Sequence, residues 1–397
     1  MYTTIRISNE EFSQRAEILL SYLQEKGLSG VVLFDHDYIL YYTGFAFIPT
    51  ERPIAFAMNS GGTRLLFVPR LELEHASANA VVDQVEHYLE YPSEPHPMTF
   101  FKDTLDDLKI GAKIGADTDG YPWILGYRGP ILSELTGAEI VGVAGFIEDR
   151  MMIKSSAEIA LIRESVKWGH LAHVLLQRYT QVGATETEVS QRASLEANTH
   201  MLDAIGPLYK AQSAFSRGAS AGYRGQIGRN ASIPHAMANN LTFQEGDVLV
   251  TGASAPVWGY HSELERTMIV GRASERQRRL FEHMVALQDT AFESILPGVR
   301  CSAVDRAVRA YYEDHGLMEH WRHHVGHAIG LRYHEGPFLD LGDQTEIQPG
   351  MVFTVEPGLY APEIGGFRHS DTVLVTDEGI EILTYYPRDL ESLTIPV

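Results

Sequence analysis

The stretch Gly259-Tyr260-His261-Ser262-Glu263-Leu264-Glu265-Arg266-Thr267-Met268-Ile269-Val270 constrains the fold more than any other part of the chain. It reads as a β-strand, whose side chains point to opposite faces in turn. One face carries Ser262, Leu264, Arg266, Met268 and Val270; the other carries His261, Glu263, Glu265, Thr267 and Ile269. The second face sets an imidazole and two carboxylates in a row, each roughly 7 Å from the next. Buried in one cavity, two acidic groups are costly unless something cationic meets them. A metal ion, a cationic substrate and protons are the candidates.

The chain is long enough to bury such a face. Its 397 residues exceed one ordinary domain. A hydrophobic content of 44% and a charged content of 21% fit a soluble globular enzyme. The formal charge of −20 argues against a nucleic-acid partner, whose phosphates want a basic face. No apolar run approaches the roughly 18 residues of a membrane span, so no membrane partner is expected. The first residues, Met1 to Arg6, carry no apolar leader, and Cys301 is the lone cysteine. Both features point to the cytoplasm.

In chain order, residues 10–26 form an amphipathic helix closed by Gly27, and Gly30 to Phe34 a buried strand. Tyr38 to Gly44, Ile54 to Met58 and Thr63 to Val68 read as further strands, with Gly61-Gly62 as a hairpin turn. Helices over 70–80 and 100–109 alternate with strands at 84–88 and 113–117, which makes 1–150 an α/β domain. Ser155 or Ser156 caps a long helix reaching about Thr180, and 185–201 is a second. Residues 208–228 are irregular and rich in Gly, Ser and Ala. Strands at 248–253, 259–270 and 351–360 enclose helices 274–296 and 302–315; strands 367–376 and 379–384 finish a second domain, 151–397.

Polar side chains gather where a plain core would not hold them. They lie at Pro234-His235, on the 259–270 strand, in Gly326-His327 through His334-Glu335-Gly336-Pro337, at Glu356-Pro357-Gly358, and in Arg368-His369-Ser370-Asp371. A charge such as Glu356, following an apolar strand, is seldom tolerated without a partner. Taken singly, each has a plainer reading. His235 reads as a surface histidine, Glu263 and Glu265 as a solvated edge, and the run His320-Trp321-Arg322-His323-His324 as a loop or helix surface. Arg266 and Arg332 read as structural ion-pair partners.

Together these motifs, from Lys154-Ser155 to Arg368…Asp371, resemble the pita-bread family of Xaa-Pro aminopeptidase, prolidase, methionine aminopeptidase and creatinase. The resemblance spans about residues 150–390. It implies an α/β (α+β) protein: an N-terminal creatinase/prolidase-type domain followed by a catalytic domain with a curved antiparallel sheet. The family's peptidases hold two metal ions with two Asp, one His and two Glu. Carried over, these positions fall at Gly252, Glu263, His327, Glu356 and Ser370. Gly252 has no ligand atom to offer and Ser370 is a poor one.

Creatinase, the member that works without metal, is similar at the positions where the peptidases differ. The resemblance covers Leu264-Glu265-Arg266-Thr267, His235 eleven residues before Gly246, Glu356, His327 and Arg52-Pro53. His261, Glu263 and Ser370 depart from it. The expectation is therefore a metal-independent, creatinase-like hydrolase of a C–N bond in a small cationic carboxylate: a guanidino compound, an amidine, or a cyclic relative such as ectoine. His235, Glu265 and Glu356 would be catalytic, with Glu265 and Glu356 clamping the cation and His235 as general base. Arg52, His261, His327, His334 and Arg368 would bind substrate, Arg52 from the neighbouring subunit of a homodimer. No cofactor is expected. The alternatives are a divergent Xaa-Pro peptidase holding a single Mn, Zn or Fe ion on Glu263, His327 and Glu356, and an inactive module that kept only a small-molecule pocket.

Overall fold

The computed structural model describes residues 6–123, 125–214 and 218–397. Among them, 6–150 with 212–214 form one unit, and 151–211 with 218–397 another. The first is built on a mixed six-stranded sheet in the order Gln84–Tyr88, Arg64–Pro69, Ala55–Asn59, Gly30–Leu33, Lys113–Ala116, Glu139–Gly142. Its core joins sheet residues such as Val32, Phe67 and Ile114 to Phe101 and Leu105 of helix Pro97–Asp107. One expected strand is absent: His36–Thr43 is a helix. The aromatic run Tyr38-Ile39-Leu40-Tyr41-Tyr42 suits a strand by composition, but local signals at both ends prevail. The Asp35 side chain accepts from the amides of Asp37 and Tyr38, and Gly44 closes the helix at φ 71°.

The second unit carries an antiparallel sheet in the order Glu335–Leu339, Gly326–Ala328, Val352–Val355, Ser370–Thr376, Leu264–Glu265, Gly252–Ser254, Ser220–Gly222, with Gly379–Ile382 also paired to Ser370–Thr376. Helix Ser156–Tyr179 is fixed at its start by a reciprocal capping box between Ser155 and Glu158. It packs on Glu186–Ile205 and on strand Gly252–Ser254. Helices Glu275–Ser294 and Cys301–Asp314 pack on each other, and the first of them also covers Val352–Val355. No helix among the described residues is long and apolar enough to cross a membrane.

The 259–270 segment is not one strand. Leu264–Glu265 belongs to the large sheet, and Thr267–Val270 to a three-stranded sheet with Val248–Val250 and Thr394–Ile395. The change falls at Arg266, which is fully buried. Its guanidinium takes the carbonyls of Glu265 (2.7 Å), Ser370 (3.0 Å), Pro387 (2.9 Å) and Tyr386 (3.1 Å), and pairs with Asp371 at 2.8 Å. Side-chain donors thus satisfy backbone acceptors where the ladder is interrupted. The expected ion-pair role of Arg266 is the one it has.

Candidate metal centre

Glu263 precedes the short strand Leu264–Glu265, in extended chain held to the neighbouring strand by Thr372. The Thr372 hydroxyl accepts from the Glu263 amide at 2.8 Å and donates to its carbonyl at 2.9 Å. His327 lies on Gly326–Ala328, which approaches Val352–Val355 so closely that a Cβ at Gly326 would stand 2.0 Å from the Thr354 carbonyl oxygen. Only glycine permits that approach. Glu356 follows the end of Val352–Val355, its amide donating to the Val325 carbonyl at 2.8 Å. Three elements distant in sequence thereby bring one ligand atom each from Glu263, His327 and Glu356 within 4.8 Å of one another.

The electrostatics of this triad are those of a site short of a cation. Burial, and then the charges of Glu356 and Glu265, push the Glu263 carboxyl up to about 7. Burial opposes ionisation of His327 as well, but Glu356 and Glu263 outweigh it and raise the imidazole to about 9. Burial likewise opposes the Glu356 charge, yet His327 and Arg368 hold that carboxyl well below the usual range. His327 Nδ1 lies 3.0 Å from the Ala328 carbonyl. That contact makes Nδ1 the protonated nitrogen of the neutral ring and leaves a lone pair on Nε2, an arrangement typical of a metal-bound histidine. Nε2 is buried, 3.3 Å from Glu356 Oε1, without an aligned hydrogen bond. A buried ring nitrogen with no aligned partner, between two carboxylates, fits a divalent ion: two Glu and one His are a known zinc donor set.

The two positions lacking acidic ligands also border this site. The Ser370 hydroxyl donates to Glu263 Oε1 at 2.6 Å. A Cβ at Gly252 would stand 3.5 Å from Glu265 Oε1.

Glu265, expected to clamp a cationic group, is instead engaged by two guanidinium groups. Arg368 binds it through Nε and, at 2.8 Å, through Nη2; Arg224 Nη2 adds a contact at 2.9 Å. Arg368 is buried and also donates to the Tyr360 hydroxyl at 3.0 Å; that hydroxyl lies 2.7 Å from His323 Nε2.

A cavity of about 220 Å³ opens over the triad, with His235, His323, His324, Tyr333 and His334 in its walls. His334 stacks on His327 with ring centroids 3.8 Å apart. Desolvation and the His327 charge lower its pKa. His235 is exposed at the rim. His261 lines a second cavity of about 390 Å³ that shares Arg224, Glu265 and Tyr333 with the first. Of the expected site residues, His235, Glu263, Glu265, Glu356, His334 and Arg368 share the first cavity, His327 lies beneath it, and His261 faces the second. Arg52 belongs to the other unit, where Glu51 (2.5 Å) and Glu90 (2.7 Å) hold it. Glu335 is drawn into a buried ion pair with Lys154.

Sequence reasoning missed Arg224, Tyr333, Tyr360 and the pair His323-His324. The histidine run was read as surface, yet His323 and His324 line the cavity. Arg224 lies in the segment 208–228, which reads as irregular and also carries Lys210 and Arg217, so nothing in the sequence singles it out.

Comparison with known proteins agrees with this geometry. Residues 160–377 match Metallopeptidase family M24, and residues 15–150 match the Creatinase/Prolidase N-terminal domain. The Xaa-Pro dipeptidase of Pyrococcus horikoshii is 28% identical over 380 residues, covering 95% of this chain and 99% of that protein. Among solved structures, a Xaa-Pro dipeptidase from Bacillus anthracis superposes with a TM-score of 0.80 at 24% identity, covering 98% of this chain and 100% of that one. Dipeptidase PepE from Mycobacterium ulcerans gives 0.82 at 24% identity, covering 99% and 100%. At that identity the last two speak for the fold alone, a creatinase/prolidase-type domain followed by a pita-bread domain.

These findings overturn the expectation of a metal-free, creatinase-like hydrolase with no cofactor. The matched family is one of metallopeptidases, and the relatives are named for a dipeptide bond. The physical error was to weigh the two absent ligands, at Gly252 and Ser370, above the three that remain within reach of a single ion.

Proposed function

The chain belongs to metallopeptidase family M24, and on that premise we propose that it is a metal-dependent hydrolase of the Xaa-Pro bond in dipeptides. The observation that carries this reading is the convergence of Glu263, His327 and Glu356 beneath a closed-in cavity, with His327 Nε2 buried and lacking an aligned hydrogen bond. A divalent ion held there supplies Lewis acidity toward the scissile carbonyl and activates water for attack. The remaining work falls to the chain's own side chains. Arg368 contacts Glu265 and approaches Glu356 Oε2 at 3.6 Å, fixing the wall beside the triad. His334 presents a neutral imidazole to the cavity. Its neutral ring can accept a hydrogen bond from a substrate or water group in the cavity. His235, at the rim beside it, closes the mouth over the substrate.

Two expectations from the sequence are carried into this proposal. The protein acts as a homodimer, Arg52 serving the neighbouring subunit's site; the Arg52-Pro53 pair supports this. Its place is the cytoplasm, which the single, buried cysteine supports.

The test is turnover of glycylproline before and after exhaustive chelation, with metal content measured on the same samples. Three protein ligands make one site, so the isolated protein should carry about one ion per chain. Activity should vanish with the ion and return with manganese, zinc or cobalt. Full turnover by protein that holds no metal would defeat the reading.

A further inference from the structure

The family's peptidases hold two ions, and the second does not fit this chain. Of the positions that carry its ligands by resemblance, Gly252 offers no donor atom, and the Ser370 hydroxyl is spent as a donor to Glu263 Oε1. What stands beside Gly252 is a guanidinium. A Cβ at Gly252 would lie 3.5 Å from Glu265 Oε1, and that same oxygen accepts from Arg224 Nη2 at 2.9 Å and from Arg368 Nη2 at 2.8 Å. Arg224 lines both the cavity of about 390 Å³ that contains Gly252 and the cavity over the triad. Its backbone puts it there. Its φ is 51°, in the left-handed region that non-glycine residues rarely adopt and that persists where surrounding structure over-determines it. The next residue supplies that constraint: Gly225, at φ 75°, donates its amide to the buried Glu186 carboxylate at 2.7 Å, and a Cβ on it would collide with the Met237 carbonyl oxygen.

The charges in the site leave room for one ion. Glu263, Glu265 and Glu356 share the cavity over the triad with Arg224 and Arg368. Arg224 pairs with Glu265, while Arg368 pairs with Glu265 and lies 3.6 Å from Glu356 Oε2. The carboxylate atoms left to a metal are those of Glu263 and Glu356 that converge with His327. Three carboxylates against two guanidinium groups leave one negative charge. A divalent ion on the triad more than balances it, so a second ion would enter a site already positive. A guanidinium cannot be deprotonated in a protein, and no chelator removes it. It supplies charge to Glu265 but no open coordination position.

We propose that the Arg224 guanidinium holds the place of the second ion: it pairs with Glu265 beside Gly252 and makes the centre one that takes a single ion whatever the supply of metal. The proposal rests on the metal half of the reading above, the triad as an ion site, and is independent of the bond that is cleaved. Its consequence is that Gly252 and Arg224 act as a pair. A carboxylate restored at position 252 alone would be captured by the guanidinium as an ion pair. A second ion requires both changes, the carboxylate gained and the guanidinium lost.

The experiment reads zinc binding, by calorimetric titration and by metal content after dialysis, with no substrate present. The chelated wild type is compared with Arg224→Gln, Arg224→Lys, Gly252→Asp and the double variant Gly252→Asp/Arg224→Gln. Wild type and Gly252→Asp take up about one ion per chain, and the double variant about two. Removal of the neighbouring positive charge tightens binding at the triad about threefold or more in Arg224→Gln, whereas Arg224→Lys, which keeps the charge, stays within about twofold of wild type. Uptake of two ions by Gly252→Asp, with Arg224 in place, overturns the proposal, and so does uptake of one by the folded double variant. If the double variant does not fold, Arg224→Gln decides alone: zinc affinity equal to that of wild type overturns the proposal, and the tighter binding sustains it. If wild type binds no ion, the metal reading falls. In that case an Arg224→Gln protein that binds one sustains the exclusion by Arg224, and one that binds none sinks both.

Discussion

Glu265 pairs with two guanidinium groups, Arg224 and Arg368, the second of which also lies 3.6 Å from Glu356. It is buried, and so is Arg368, while Arg224 reaches water. Glu265→Gln would leave the Arg368 charge buried against a neutral amide, and removing one partner of a buried pair costs about 3–5 kcal/mol. Arg224→Gln removes a half-exposed partner, and the cost there is about 1 kcal/mol or less. Denaturant midpoints of the two variants should therefore differ widely, and similar midpoints would sink this account. His173 gives a second prediction, in pH. It is fully buried on helix Ser156–Tyr179, 2.7 Å from the Thr251 hydroxyl. Burial, then the charges of Arg266 and His170, push its pKa well below the ordinary 6.5. The folded chain keeps it neutral while the unfolded chain takes up a proton near 6.5, so stability falls as pH drops below that value and is level in this respect above it. In unfolding titrations between pH 7 and 5, His173→Gln should flatten that acid limb; an unchanged slope would assign the limb to other groups. How much of the site was legible follows from the same residues. His327 and Glu356 were readable because each stands in an apolar or small-residue context that a charge does not enter without purpose, while Glu263, in the polar run His261 to Arg266, stood out only through the family resemblance. Arg224 was not readable, because its contact with Glu265 depends on a backbone at φ 51°, which sequence spacing does not encode.

Elements were readable where their signals are local and agree. Helix Ser156–Tyr179 has a capping pair at its start and a long apolar face, and its expected limits are nearly those observed. The 259–270 strand misled because alternation assigns faces but does not tell which sheet a residue joins. The alternation did place Glu263 and Glu265 in one cavity, while buried donors on Arg266 divided the ladder. His36–Thr43 failed in the opposite sense, composition favouring a strand while Asp35 and Gly44 wrote a helix. Gly44 offers the test. At φ 71°, a Cβ there would also stand 2.9 Å from the Phe12 ring. Gly44→Ala combines a left-handed backbone penalty of about 1–2 kcal/mol with that clash. Thermal unfolding should show a loss of at least that size. A neutral substitution would mean that the cap glycine is not what ends this helix.

At the scale of the whole chain, one apolar cluster gathers on the mixed sheet of the first unit and another on the antiparallel sheet of the second. All three groups of the metal triad belong to the second. A ligand that binds only the folded state stabilises it by RT ln(1 + [L]/Kd), about 2.7 kcal/mol at a hundredfold excess over Kd. That increment acts on the unit that holds the ligand. Calorimetry with and without chelator should therefore resolve two transitions, of which stripping the ion lowers one and leaves the other in place. Trp123 reports the first unit, while Trp168, Trp258 and Trp321 report the second, so fluorescence of a Trp123→Phe variant follows the metal-sensitive transition alone. His327→Gln should place that transition at its stripped temperature and make it indifferent to added zinc. Two transitions that move together on chelation would sink the prediction that the ion's stabilisation is confined to the unit that holds the triad.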